Sequence, residues 1–217
     1  MELLVATLAH TTKGNHEDAL TRVRLVVDTV KKAPGIIHVR FYTSRESDTY
    51  YFMLSSWEDE EFWQKAQELY NPRELLVNSG NELFAATPEQ LVMHYLWGYS
   101  RPSAQPTIAA AHIATVRPDQ TERIQREWIE ALQRQAIQPT LAFAFLARGR
   151  NTEALAPSTS APTIRREHAF SSTFLNLLSW PGETQQKEFY SDQNYRVIRG
   201  LLNTMGIVRV LTLEPQS

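Results

Sequence analysis

Apolar and polar positions along the chain follow two different periods, and each period predicts a type of element. Short, largely apolar runs indicate buried strands, and apolar residues three and four apart, as at Val23, Val26, Val27 and Val30, indicate the inner face of a helix. In the first half the pattern predicts strands Leu3–His10, Ile36–Thr43, Tyr50–Trp57 and Leu91–Tyr99. It also predicts a helix capped by Asn15 and stopped by Pro34-Gly35, a helix Glu58–Tyr70, and a short helix Glu74–Val77.

The second half repeats this order of elements. It predicts strands Thr107–Val116, Thr140–Ala147, His168–Trp180 and Ile207–Leu213, a helix Gln120–Gln135, and one or two helices between Gly182 and Thr204. A loop at 148–167, rich in Pro, Ser, Thr and Ala, is much longer than its counterpart in the first half. Loops of that length are typical either of functional lids or of mobile connections.

A short motif marks the same point in both halves. Met53-Leu54-Ser55-Ser56-Trp57-Glu58 ends a strand and opens a helix, and Leu177-Leu178-Ser179-Trp180-Pro181-Gly182-Glu183 does so again. We therefore predict an α+β protein with a ferredoxin-like βαββαβ half at 1–100, a semi-rigid linker at 101–106 and a second such half at 107–217. Each antiparallel sheet would leave one face bare, so the two sheets should pack together into an intramolecular α+β barrel.

Composition excludes several classes of function but does not identify one. The chain has 217 residues, 42% of them apolar, a net charge of −2 and no cysteine. Acidic and basic residues are interspersed, so the sequence contains no basic patch of the kind that binds nucleic acid or an anionic membrane. Because there is no cysteine, thiolate chemistry and disulfides are excluded. Without a signal-peptide pattern or an apolar run of membrane length, we expect a cytoplasmic monomer or homodimer whose partner is a small-molecule ligand.

The Ser-Trp strand end, followed by Glu58-Asp59-Glu60-Glu61 after a β-α-β unit with Pro34-Gly35, resembles the antibiotic biosynthesis monooxygenase type of dimeric α+β barrel. The resemblance implies one of several activities, since such families include cofactor-free oxygenases of polycyclic phenols and haem-degrading enzymes. The haem-degrading branch is disfavoured, because the first strand lacks the expected Asn and no His follows Trp63 before His94. No metal-ligand spacing, Rossmann fingerprint or nucleophile elbow is present, so we predict no cofactor and no metal site.

The strand Ile36–Thr43 carries the most suggestive polar residues. Ile37, Val39 and Phe41 should pack under the helices, which would turn the alternate positions toward the barrel cavity. The candidate catalytic bases are His38 and His94. The candidate substrate-binding residues are Arg40, Tyr42, Tyr51, Met93, Tyr95 and Trp97.

These residues suggest a monooxygenase acting on an aromatic or polyketide-like molecule without a cofactor. A histidine would take a proton from an acidic substrate, Arg40 would stabilise the resulting phenolate or enolate, and the anion would pass an electron to dioxygen. Aromatic side chains would stack on the substrate rings.

Three alternatives stay open at this point. The alternation on Ile36–Thr43 is also typical of an ordinary half-exposed strand. The protein could bind an apolar ligand without catalysis, or its barrel could be filled by its own side chains. Trp57 and Trp180 are expected to be packing anchors. Because Leu141–Ala147 carries no polar side chain, any site should belong mainly to the first half.

Overall fold

The computed structural model describes residues 2–12, 14–45, 50–78, 83–138, 140–150 and 172–216. The strands are β1 (Leu3–His10), β2 (Ile36–Ser44), β3 (Tyr50–Trp57), β4 (Glu89–Ser100), β5 (Ile108–Val116), β6 (Phe143–Arg150), β7 (Ser172–Trp180) and β8 (Gly206–Gln216). The helices are α1 (His16–Val30), α2 (Glu60–Tyr70), α3 (Pro72–Val77), α4 (Thr121–Ala136), α5 (Glu183–Ser191) and α6 (Gln193–Met205), with a 3₁₀ turn at Pro118–Gln120.

The strands close into one antiparallel barrel in the order β1-β3-β2-β8-β5-β7-β6-β4. The order contains two ferredoxin-like sheets, β4-β1-β3-β2 and β8-β5-β7-β6, so the predicted fold class is confirmed. The sheets meet edge to edge at two seams, where β4 pairs with β6 and β2 pairs with β8. The strand order closes on itself through these two seams, so one face of each sheet lines the barrel interior.

Several predicted boundaries move for local reasons. The second helix begins at Glu60 because Asp59 is its N-cap and accepts a hydrogen bond from the Phe62 backbone N–H at 3.0 Å. Asn15 precedes the first helix without a side-chain capping bond, and its side-chain amide donates to Thr12 Oγ1 at 2.8 Å. Strand β6 begins at Phe143 rather than Thr140 and extends to Arg150, into the predicted loop, whose remainder lies outside the described residues.

Apolar side chains form three clusters, one under the helices of each half and one inside the barrel. Trp57 and Trp180 are fully buried under the helices, as expected of packing anchors. The Trp57 indole N–H donates to Ser55 Oγ at 3.0 Å, and its ring packs against Trp63. Trp180 packs edge-on against Phe189 of α5.

The middle of the barrel is filled by its own side chains, among them Leu4, Phe52, Met93, Phe145 and Leu177. At one end, Glu89 of β4 and Arg209 of β8 form an ion pair at 2.7 Å. These strands stand opposite each other in the barrel, so the pair bridges the lumen at this end, which we call the closed end. We call the other end, near the start of β2, the mouth.

Candidate functional site at the barrel mouth

Strand β2 contains a β-bulge near its start, and its polar residues His38 and Arg40 line the mouth beyond this bulge. The register with β3 shifts between Ile36 and His38, which leaves Ile37 43% exposed. The expectation that Ile37 packs under the helices is therefore wrong. Beyond the bulge, Val39 and Phe41 do pack against the helix-side cluster of the first half, and Tyr42 is buried in the barrel interior.

Two cavities adjoin at the mouth. The inner cavity, of about 310 Å³, is lined by Glu2, Leu4, His38, Arg40, Leu54, Ser56, Tyr95, Ser100 and Phe143. The outer cavity, of about 340 Å³, lies along the seam between β2 and β8 and is lined by Val39, Arg40, Phe41, Tyr42, Ser100, Arg101, Pro102, Ala104, Pro106, Ala142, Phe143, Pro215 and Gln216. Arg40, Ser100 and Phe143 belong to both, so they form the partition between the two cavities.

Arg40 is the central charge of the mouth. Its guanidinium lies over the Phe143 ring, 4.0 Å from the ring centroid, in a cation–π contact. Burial raises the pKa of Tyr42, and the charge and hydrogen bond of Arg40 oppose that rise. Burial also raises the pKa of Tyr95 to about 12, with Glu2 adding to the rise and Arg40 opposing it. Both phenols are therefore protonated at neutral pH and able to donate a hydrogen bond.

Of the residues singled out from the sequence, His38, Arg40 and Tyr95 meet in the wall of the inner cavity, and Tyr42 lines the outer one. His38 is solvent-exposed, so the mouth gives its imidazole contact with both water and the cavity. Met93 is fully buried in the barrel interior, below the mouth.

The other three candidate residues lie elsewhere. His94 points outward from β4, is exposed, and stands outside both mouth cavities. A register shift between Tyr95 and Trp97 turns Trp97 toward the helix-side cluster of the second half. Tyr51 lies under the first-half helices, where its hydroxyl donates to the His16 carbonyl at 2.9 Å and burial raises its pKa to about 12. The expectation that Tyr51 faces the barrel cavity is wrong.

Glu2, Ser100 and Phe143 are mouth residues that sequence reasoning missed. Glu2 precedes the first strand, and Ser100 ends the fourth, where no pattern signals a site. Phe143 reaches the mouth because β6 pairs with β4 and places Phe143 opposite Ser100. Pairing between the halves cannot be read from the period of either strand.

The register shows how the two halves differ. Measured back from Trp57 and Trp180, His38, Arg40 and Tyr42 of β2 correspond to Phe143, Phe145 and Ala147 of β6. At these three positions β2 carries an imidazole, a guanidinium and a phenol, whereas β6 carries only apolar side chains. The two halves therefore differ at the three positions of β2 that carry His38, Arg40 and Tyr42.

A second polar cluster lies under the helices of the second half and was not expected. His112 of β5 is 2% exposed, and its Nε2 is 2.8 Å from the Tyr195 hydroxyl and 3.3 Å from that of Tyr190. Burial lowers the pKa of His112 to about 4. The imidazole is therefore neutral at pH 7 and lies within hydrogen-bond distance of the Tyr195 hydroxyl in a packed aromatic cluster.

The described residues contain no group of three or more His, Asp or Glu side chains placed to hold a metal ion. None of the helices described is both long and apolar enough to cross a membrane.

The strand order and the mouth define a class of protein, the α+β barrel built from two ferredoxin-like halves. Within that class, residues 1–69 match the family model described as antibiotic biosynthesis monooxygenase. The match runs from β1 into α2 and confirms the resemblance seen in the sequence. The sequence matched none of the curated proteins compared.

Solved structures share the fold over the whole chain. An anthrone oxidase-like protein superposes with a TM-score of 0.70 at 11% identity, covering 100% of this chain and 92% of its own. A candidate monooxygenase from Fusobacterium nucleatum gives 0.68 at 8% identity, covering 100% and 93%. Another from Lactobacillus acidophilus gives 0.65 at 8% identity, covering 100% and 94%. At these identities the likeness shows the fold alone.

Proposed function

We propose that the protein is a monooxygenase that oxidises an acidic aromatic or polyketide-like molecule with dioxygen at the barrel mouth, without a metal or flavin. The observation that carries this proposal is the inner cavity itself, which brings an imidazole, a guanidinium and aromatic walls together in about 310 Å³. The family of the matched domain supports the reaction class.

The groups of the mouth fit the steps of such a reaction. His38 takes a proton from an acidic C–H or O–H bond, and Arg40 pairs with the oxygen of the resulting enolate or phenolate. The electron-rich anion reduces dioxygen and combines with it to give a peroxide, which loses water and leaves a new carbonyl group. One oxygen atom enters the product and the other leaves as water. Tyr95 and Phe143 supply ring faces for the aromatic part of the substrate.

Anthrone is a suitable probe because its enolate forms readily and its oxidation follows this balance, with one dioxygen consumed and one anthraquinone and one water formed. We expect the purified protein, stripped of metal by a chelator, to accelerate dioxygen uptake and anthraquinone formation in equal amounts. The measurement uses an oxygen electrode together with quinone absorbance. Rates equal to those of buffer, both for anthrone and for a naphthol, would refute the proposal.

Charge at Arg40 should control the affinity for the anionic substrate. Arg40→Met removes the guanidinium from the mouth, and we expect KM to rise roughly tenfold, the loss of about one charge-assisted contact. Arg40→Lys should lose less, because it keeps the charge. The control is Arg209→Met, which makes the same change in net charge at the closed end and should leave KM unchanged. Equal effects of the two methionine variants would contradict the role of Arg40.

Non-catalytic binding of the same class of molecule is a second candidate function. It is favoured by the apolar side chains Leu4 and Leu54 in the inner cavity, which would hold a ring without any help from His38. The same assay separates the two functions, since a binder quenches the fluorescence of an aromatic ligand but consumes no dioxygen.

A further inference from the structure

We propose that the barrel mouth also hydrolyses aryl esters, with Ser56 as the nucleophile and His38 as the base that activates it. This activity is acyl transfer rather than oxidation, so it goes beyond the proposed function and does not depend on it. The substrate class is an ester that joins a small acyl group to a phenol, and the products are a carboxylic acid and the phenol.

The first step in the argument is the position of Ser56 beside His38. The register of β2 with β3 places these two residues directly opposite each other, just beyond the β-bulge. Both line the inner cavity, so their side chains lie on the same face of the sheet. Directly opposed residues of an antiparallel pair have Cβ atoms about 5 Å apart, which brings a serine hydroxyl within reach of an imidazole.

The second step is that the Ser56 hydroxyl is available to a substrate. Its counterpart in the second half, Ser179, donates to the Phe143 carbonyl at 3.1 Å. The preceding serine, Ser55, donates to a carbonyl of β1 and accepts from the Trp57 indole. Ser56 is 7% exposed and borders the cavity, and none of the described residues is hydrogen-bonded to its hydroxyl. The sheet therefore uses the other two hydroxyls and leaves this one to the cavity.

The third step is that the neighbouring side chains supply the other parts of such a site. Arg40 lies two residues beyond His38 on the same face of β2, where its guanidinium can pair with the oxyanion formed by attack of Ser56. Leu4 of β1 pairs with Ser56 from the other side and is 1% exposed. A short acyl group fits against Leu4, and the aryl group lies against the Tyr95 ring.

The reaction balances with these groups and one water molecule. Ser56 Oγ forms a bond to the ester carbonyl carbon while His38 takes the hydroxyl proton. The bond from this carbon to the aryl oxygen then breaks, and His38 returns the proton to the departing oxygen. Water, deprotonated by His38, attacks the acyl-serine, releases the carboxylic acid and restores the Ser56 hydroxyl. The solvent exposure of His38 gives this water access.

The test uses 2-naphthyl acetate under nitrogen, where oxidation of the released 2-naphthol cannot occur. Naphthol fluorescence measures the rate, and we expect Ser56→Ala to lower kcat/KM by roughly a hundredfold or more. The matched control is Ser172→Ala, which removes a hydroxyl of similar burial, 8% exposed, at the start of β7 near the closed end. It should keep the rate within about twofold, and thermal unfolding shows whether both variants are folded.

A covalent label tests the nucleophile itself. Phenylmethylsulfonyl fluoride should modify Ser56, as located by peptide mass spectrometry, and abolish hydrolysis, and His38→Ala should prevent the labelling. The proposal is refuted if the wild type hydrolyses the ester no faster than buffer, if Ser56→Ala retains the wild-type rate, or if Ser56 carries no label. Ester hydrolysis consumes no dioxygen, so its failure and the failure of the oxidation are distinguishable.

Discussion

His38→Ala is expected to lower kcat for anthrone oxidation by roughly 10²- to 10⁴-fold, the usual contribution of a general base. The substitution removes the imidazole that would take the substrate proton and leaves Arg40 and the aromatic walls in place. KM should change little, since the side chain is exposed and the ring-binding surface is formed by other residues. Added imidazole should restore part of the rate, because the mouth is open to solvent. Stopped-flow quinone absorbance measures both effects.

Variants at two other histidines, His10 and His94, serve as controls for this experiment. His10 lies near the closed end of the barrel, stacked on Tyr50, and His10→Asn should keep kcat within about twofold. His94, the other candidate base in the sequence, points outward from β4. Unchanged turnover in His38→Ala would show that His38 is not the base. If His94→Asn then lost turnover, His94 would be the base instead.

The second large effect is an acid destabilisation caused by His112. Burial lowers its pKa from 6.5 to about 4, so between these values the unfolded chain binds a proton that the folded chain does not. Stability is therefore complete above pH 6.5 and is lost as the pH falls from 6.5 toward 4. At about 1.4 kcal/mol for each pH unit, the loss is roughly 3 kcal/mol in the free energy of unfolding. Urea unfolding at a series of pH values measures it.

The matched control for this prediction is His112→Gln, which does not titrate in this range. Other groups around the site are Tyr190 and Tyr195, whose pKa values are raised by burial, and Arg199, whose charge opposes protonation of His112. The two tyrosines stay uncharged between pH 4 and 6.5. The variant should therefore show a smaller loss of stability than the wild type by about 3 kcal/mol. Parallel pH dependences in the two proteins would show that His112 does not titrate as a buried neutral group.

Much of the fold could be predicted from the sequence because strand and helix periods are local. The Ser-Trp motif located the same strand end in both halves, and the stripe from Val23 to Val30 defined the inner face of α1. Closure of the barrel followed from the bare sheet faces, although the sheets join edge to edge at two seams rather than simply stacking.

The site could be predicted only in part, because a β-bulge interrupts the alternation of faces at the residue that it inserts. Strict alternation predicted that Ile37 packs under the helices, and it did not decide which face of the sheet carries Trp97. In the structure a register shift lies next to each of these residues. Tyr51 was misplaced because its neighbours on β3 are apolar on both faces, so the period there carries no information. The partners of His112 are Tyr190 of α5 and Tyr195 of α6. They lie far from His112 along the chain, so no local sequence pattern predicts these contacts.

The central claim is that the functional site lies at the barrel mouth, and a crystal structure with bound anthraquinone-2-carboxylate tests it most directly. The account predicts ring density in the inner cavity against Tyr95 and Phe143, with the carboxylate within hydrogen-bond distance of Arg40. Density between the sheet and helices α5 and α6, beside His112 and Tyr195, would contradict it and transfer the site to the second half.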